Sequence, residues 1–257
     1  MSILVVEIVS EGMIFGADRN ITVTQHGGQT TQGSPQKKVF KWPSANTLIG
    51  FVGAALMNGM PIEDWLASIH QDFQTHTSLE QVAQALKTKV ETQRNIDEGT
   101  GSAEPLIIHI GGFEQREGVW LPYVWHITNV HKLGLYGYLT WDKTYTCTEH
   151  MYASLKDVHP IEIRRFLSVK AKNFEPMWFH QGLDLFTFNV LESSIKSSFK
   201  LLCEQHPEHN IPTSLDDWSK HVKMQILMYG AYYEAFRQVG HRPVGGGADI
   251  EYLSWPS

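Results

Sequence analysis

The reading of this chain starts from its first residues: Ser2-Ile3-Leu4-Val5-Val6-Glu7-Ile8-Val9, the link Ser10-Glu11-Gly12, then Met13-Ile14-Phe15-Gly16-Ala17-Asp18-Arg19. Two apolar, β-prone runs on either side of a short polar link with a glycine predict a hairpin. Most chain ends are loose, so a strand that begins at residue 2 holds the amine and side chain of that residue in a fixed place.

Beyond the hairpin, 21–24 is expected to extend the sheet, and 25–36 reads as a loop rich in Gly, Thr, Ser and Gln. Residues 37–42 alternate as a strand, 43–46 turn, and 47–55 read as a buried strand ending in small residues. At Pro61 the period changes. Ile62, Trp65, Leu66, Ile69 and Phe73 share one helical face, and Ser78, with Gln81 three residues on, caps a second helix carrying Leu79, Val82, Ala83, Leu86 and Val90. A polar loop over 96–104 precedes two further strands, 105–110 and 119–127, which are expected to form a second sheet.

Residues 133–175 support only a short helix over 161–169 behind Pro160. Helical spacing returns with Leu183, Phe186, Val190, Leu191 and Leu202, and again from Leu215 to Phe236 behind the cap Ser214. The turn Gly245-Gly246-Gly247 leads into a last strand over 248–253. This order predicts an α/β (α+β) fold, a four-layer αββα sandwich of two antiparallel sheets flanked by helices, because each sheet must cover both faces. It is expected to be a single domain over 1–257, with an elaborated middle and C-terminal helical part.

Among the 257 residues, 42% are hydrophobic, enough for a sizeable core, and 27 acidic against 21 basic residues give a net charge of -6. The scattered charge forms no basic stripe to neutralise phosphates, so no nucleic-acid partner is expected. No apolar run approaches the roughly 18 residues of a membrane span, and no basic segment precedes the first strand. No membrane partner and a cytoplasmic location are the expectation. Cys147 and Cys203 are too few for a disulfide framework. Of the 13 histidines, His109, His126 and His131 share no ligand motif, so neither a metal nor a cofactor is expected.

The hairpin through Gly16-Ala17-Asp18-Arg19, then Lys37-Lys38-Val39-Phe40, Ile49-Gly50-Phe51-Val52-Gly53-Ala54 and two helices resembles the β-type subunits of the proteasome and its bacterial relatives. Val244-Gly245-Gly246-Gly247-Ala248-Asp249-Ile250 is similar to that family's Gly-Gly turn into a late strand. The likeness covers 2–90 and 240–254, and the order and spacing of short motifs carry it. It implies an N-terminal nucleophile (Ntn) hydrolase that cleaves amide (peptide) bonds, with Ser2 as nucleophile once Met1 is removed. Asp18 and Lys38 take the places of the family's Asp and Lys, and Gly53 that of the glycine whose N–H faces the oxyanion. The family's downstream Ser and Asp have no firm match: Thr146, Thr148 and Ser154 are loose candidates for the first, and His241 stands near the place of the second. The resemblance also implies a homo-oligomer, a ring or ring-like stack, acting on a peptide or small amide substrate.

That chemistry fits these residue types. A serine hydroxyl is a weak nucleophile, and an α-amine with a pKa of about 7.7–8 can take its proton. A nearby lysine ammonium favours the neutral amine and the developing alkoxide, and an aspartate holds that lysine. Taken singly, Ser2 reads as an ordinary small second residue, Asp18 as a hairpin-closing residue and Lys38 as a solvated strand charge. The competing functions are a catalytically inactive assembly or scaffold subunit that keeps Met1, and an Ntn amidase for a small molecule.

Overall fold

The computed structural model describes residues 3–24, 30–42, 46–97, 104–133, 138–150, 155, 157–173, 177–181, 185–206, 211–236 and 246–257. The strands are β1 (Leu4–Val9), β2 (Gly12–Asp18), β3 (Thr22–Thr24), β4 (Thr30–Gln32), β5 (Val39–Trp42), β6 (Thr47–Gly53), β7 (Leu56–Met57) and β8 (Met60–Pro61). They continue with β9 (Leu106–Arg116), β10 (Val119–Leu133), β11 (Tyr138–His150), β12 (Met177–Gln181) and β13 (Ala248–Ser254). The helices are α1 (Ile62–Ile69), α2 (Leu79–Asp97), α3 (Ile163–Lys172), α4 (Leu185–Gln205) and α5 (Leu215–Phe236), with short 3-10 turns at His70–Phe73 and Pro160–Glu162. The fold is thus mixed α and β, and its sheets are antiparallel.

The hairpin forms as the sequence predicts: β1 and β2 pair from Leu4 opposite Ala17 to Val9 opposite Gly12, leaving Ser10-Glu11 as a two-residue link. It lies at the centre of a four-stranded sheet ordered β12-β1-β2-β13. The second sheet has five strands ordered β11-β10-β9-β6-β5. β9 runs on to Arg116, beyond its sequence pattern, because Glu117 and Gly118 both take positive φ, 52° and 81°, and close a hairpin onto β10. That turn matches the twist of the flanking strands.

Alternation along the hairpin divides the core. Leu4, Val6, Ile8, Met13, Phe15 and Ala17 join a cluster that contains Leu48, Phe51, Ile108 and Ile110 of the second sheet and Val82, Leu86 and Val90 of α2. Ile3, Val5, Val9 and Ile14 point the other way, toward Trp218, Val222, Ile226 and Tyr229 of α5. Each such fully buried aliphatic side chain stabilises the fold by roughly 1.5–3 kcal/mol. Capping follows the sequence: the Ser78 hydroxyl accepts the Gln81 N–H at 3.2 Å and the Ser214 hydroxyl the Asp217 N–H at 3.2 Å. Gln81 departs from the capping box, since its side chain accepts the N–H of Thr77 at 3.0 Å and not that of Ser78.

Four readings need correction. β3 does not extend the first sheet but pairs with β4 in a separate two-stranded ribbon. Thr30–Gln32 is therefore a strand inside the stretch read as loop. The stretch 133–175 holds β11, which its sequence conceals because nearly every side chain between Trp141 and His150 is exposed. Finally, α2 runs on to Asp97, through the start of the polar loop read over 96–104.

Candidate active site

Strand β2 ends at Asp18, and the side chain of Asp18 turns back under the start of β1. Its Oδ1 accepts the backbone N–H of Ile3 at 2.8 Å and the Lys38 Nζ at 3.1 Å. Its Oδ2 accepts the Asn20 N–H at 3.2 Å. Lys38 precedes β5, and its carbonyl accepts the Phe51 N–H at 3.1 Å, which fixes it beside β6. Its Nζ also donates to the Asn20 carbonyl. Asp18 is 0% and Lys38 1% exposed, so Lys38 is no solvated strand charge. Burial pushes the Lys38 ammonium below its ordinary range, opposed by the charge of Asp18.

Two further elements brace this corner. The Lys38 N–H donates to Asp249 Oδ2 at 3.4 Å, and Arg19 pairs with Asp249 at 3.4 Å. Burial pushes Asp249 up, and the Arg19 charge pulls it back. Gly246, at φ +69°, leaves no room for a Cβ, which would lie 2.7 Å from the Asn20 side-chain oxygen. The Arg19 N–H donates to the Gly247 carbonyl at 3.3 Å. The glycine turn before β13 therefore presses on the same Asp18-Arg19-Asn20 segment that holds Lys38. Asn20 was not legible as a site residue, because it acts through its backbone carbonyl and N–H.

Of the residues read from the sequence, Asp18 and Lys38 are brought into contact. Ser2 lies outside the described residues, although its neighbour Ile3 is fixed on Asp18. Gly53 ends β6, two residues beyond the Phe51 that bonds to Lys38. Its φ of +108° and the Pro105 carbonyl, which a Cβ would strike, require glycine there. Thr146 and Thr148 are on β11, at the opposite edge of the sheet from β5. Their hydroxyls contact the Thr128 carbonyl and His150, which makes them poor candidates for the Ser2 network. Ser154 and His241 lie outside the described residues.

Two other buried polar groups stand apart from this corner. Glu7, on the α5 face of β1, is 0% exposed and accepts the Gln225 side-chain N–H at 2.9 Å, and the same nitrogen lies 3.1 Å from His221 Nδ1. The rings of His109, His126 and His150 adjoin across β9, β10 and β11, tilted by 50° and 60°, with centroids 4.8 and 5.2 Å apart. Among the described residues, no group of three or more His, Cys, Asp or Glu is arranged to hold a metal ion. Among them, too, no helix is long and apolar enough to cross a membrane.

Comparison with known proteins defines the fold and stops there. No family model matches the chain, and no curated protein matches it. Among solved structures, the chain is similar to Anbu (ancestral beta-subunit) from Yersinia bercovieri, with 14% identity, a TM-score of 0.51, and coverage of 98% of this chain and 82% of that one. A mutant of Anbu from Hyphomicrobium sp. strain MC1 gives 13% identity and a TM-score of 0.48, over 99% and 82%. These findings correct the resemblance to proteasome β-type subunits. The likeness at this identity is one of fold, and the motifs behind the family assignment do not place the chain in that family. Hairpins, Gly turns and strand-helix order recur wherever an antiparallel sheet is built, so short motifs of that kind carry topology more readily than kinship.

Proposed function

We propose that this chain is an N-terminal nucleophile hydrolase that cleaves amide bonds, with Ser2 as nucleophile after removal of Met1, built as one domain over 1–257 in a four-layer αββα sandwich. One observation carries the proposal: the Asp18 carboxylate receives both the N–H of Ile3, the residue after Ser2, and the Nζ of a buried lysine. Fixing the Ile3 amide restricts where the amine and hydroxyl of residue 2 can lie. A cation beside an α-amine lowers the pKa of the amine, so in this reading Lys38 would keep it neutral and able to take the Ser2 proton near pH 7. Lys38 and the Gly53 N–H then favour the oxyanion of the tetrahedral intermediate.

The sandwich rests on the division of the hairpin's side chains between the second sheet and α5, and on the likeness to the Yersinia bercovieri fold. That neighbour is described as a subunit, which supports an assembly of more than one chain; a homo-oligomer, in a ring or ring-like stack, is the form we propose. The substrate class is a peptide or a small amide, and the expected compartment is the cytoplasm.

Intact mass of the natively expressed protein, followed by hydrolysis of fluorogenic peptide and small-molecule amides, tests the mechanism. We expect loss of Met1, and a fall in activity of at least roughly 100-fold for Ser2→Ala. A retained Met1 rejects it and leaves the scaffold reading, in which Asp18 and Lys38 only tie β2 to β5; full activity in Ser2→Ala rejects Ser2 as the nucleophile.

A further inference from the structure

Arg94 lies in the last turns of α2, one turn beyond Val90 and Glu91, where the helix rests on β11: Val90 is fully buried and Glu91 accepts the Tyr145 N–H at 3.3 Å. Arg94 is itself buried, with 8% of its surface exposed. Its Nε and Nη2 are both shielded from solvent, and neither has a hydrogen-bond partner among the described residues. No ion pair or ring contact to Arg94 is found among the described residues.

An arginine cannot shed its charge at any ordinary pH, so burial cannot be relieved by deprotonation as it can for lysine. A buried charge without a partner costs several kcal/mol of desolvation that no contact offsets. The carbonyl end of α2 attracts a cation, but it provides no acceptor for these two N–H groups. The pair left open is also a particular one. Nε–H and an Nη2–H point the same way along one edge of the planar guanidinium, the edge that takes two oxygens of a carboxylate or phosphate side by side. Buried polar groups lacking a protein partner are ordinarily satisfied by water or an ion, and a full positive charge selects an anion.

We propose that the Nε–Nη2 edge of Arg94 is the centre of a binding site for a small oxyanion, phosphate, sulfate or a low-molecular-weight carboxylate, between the C-terminal half of α2 and β11. The site is separate from Asp18 and Lys38 and does not depend on whether the chain is a hydrolase. Occupancy neutralises the guanidinium, so the anion stabilises the folded chain in proportion to its binding.

The test is thermal unfolding of the full chain in sodium chloride, with phosphate, sulfate or acetate substituted at constant ionic strength. At ten times its dissociation constant, a bound anion raises Tm by roughly 3–6 °C for a chain of this size. In Arg94→Met the anion-dependent shift is expected to vanish, while Tm in chloride alone equals or exceeds that of the wild type because the unpaired charge is gone. Arg94→Lys keeps the charge and loses the two-pronged edge, and its anion affinity is expected to fall about tenfold or more. Isothermal titration with phosphate reads the same affinities directly. The three oxyanion arms identify which chemistry the site prefers. Equal anion shifts in wild type and Arg94→Met overturn the proposal. So does a wild-type Tm that follows protein concentration and ignores the anion, which would place a carboxylate of a second copy on Arg94.

Discussion

Lys38 is nearly inaccessible, and its ammonium is received by one short segment, through the Asp18 carboxylate and the Asn20 carbonyl. A buried ion pair is weak evidence for stability, since desolving both charges offsets most of their attraction. Asp18 and Lys38 must therefore be read with their neighbours: the carboxylate also holds Ile3 and Asn20, and the ammonium also reaches the Asn20 carbonyl. Removing one partner strands the other. We expect Lys38→Met or Asp18→Asn alone to destabilise the chain by about 3–5 kcal/mol. The double variant should lose clearly less than the sum, as expected for residues in one network. Urea denaturation of the four proteins measures this. Additive losses would show that the two groups are held independently. Activity separates the roles further: if Ser2 is the nucleophile, every variant lacking Lys38 loses turnover, including any whose stability the second substitution restores.

Strands β9, β10 and β11 are joined on one face by the tilted rings of His109, His126 and His150, an element-level contact that responds to pH. Burial holds His109 well below the ordinary 6.5, and burial together with the neighbouring His150 lowers His126 to about 4. The unfolded chain binds a proton on His126 near pH 6.5, and the folded chain does so only near 4. Between those values the unfolded state holds more protons, so folding stability is complete above about pH 6.5 and falls as pH drops toward 4. His126 alone accounts for a loss of about 3 kcal/mol over that window. Denaturant midpoints measured from pH 7 to 4 should show this slope, and His126→Leu should flatten it. An unchanged slope in that variant would exclude His126 as its source.

The same strands show what the sequence did and did not make legible. Val119 onward reads as a strand because apolar residues fall at regular intervals, whereas β11 reads as nothing: it is an edge strand of Thr, Asp, Lys and Glu with little to bury. Edges are kept polar and charged for a physical reason, to discourage pairing with other chains, and this removes the hydrophobic signal. The Asp18 and Lys38 pair was reached only through the resemblance of the short motifs around it, since each residue taken singly reads as an ordinary hairpin or strand charge. Asn20 and Arg94 were not legible, because one acts through its backbone and the other resembles an ordinary helix-end cation until its burial is seen.

At the scale of the whole molecule, the arrangement of the two sheets is set by where side chains are missing. Gly111 of β9 faces the hairpin, and a Cβ there would stand 2.6 Å from both Met13 Sδ and Phe15 Cζ. Gly50 of β6 would meet Leu4 at 2.5 Å in the same way. On the hairpin's other face, a Cβ on Gly16 would press on Val222 at 2.6 Å and Ile226 at 2.8 Å. Phe15 therefore fills the space above two glycines of the second sheet, while Gly16 admits α5. If the sheets pack face to face in this way, Gly111→Ala overpacks the contact and costs about 1–3 kcal/mol, seen as a lower urea midpoint at unchanged slope. Phe15→Leu shortens the opposing side chain, so the double variant should be more stable than the sum of the two single changes by at least about 0.5 kcal/mol. Gly16→Ala should show no such coupling to Phe15→Leu, because its obstacles are Val222 and Ile226. Additivity of Gly111→Ala with Phe15→Leu, within about 0.3 kcal/mol, would mean that the two sheets do not meet at these residues, and the four-layer arrangement would have to be abandoned.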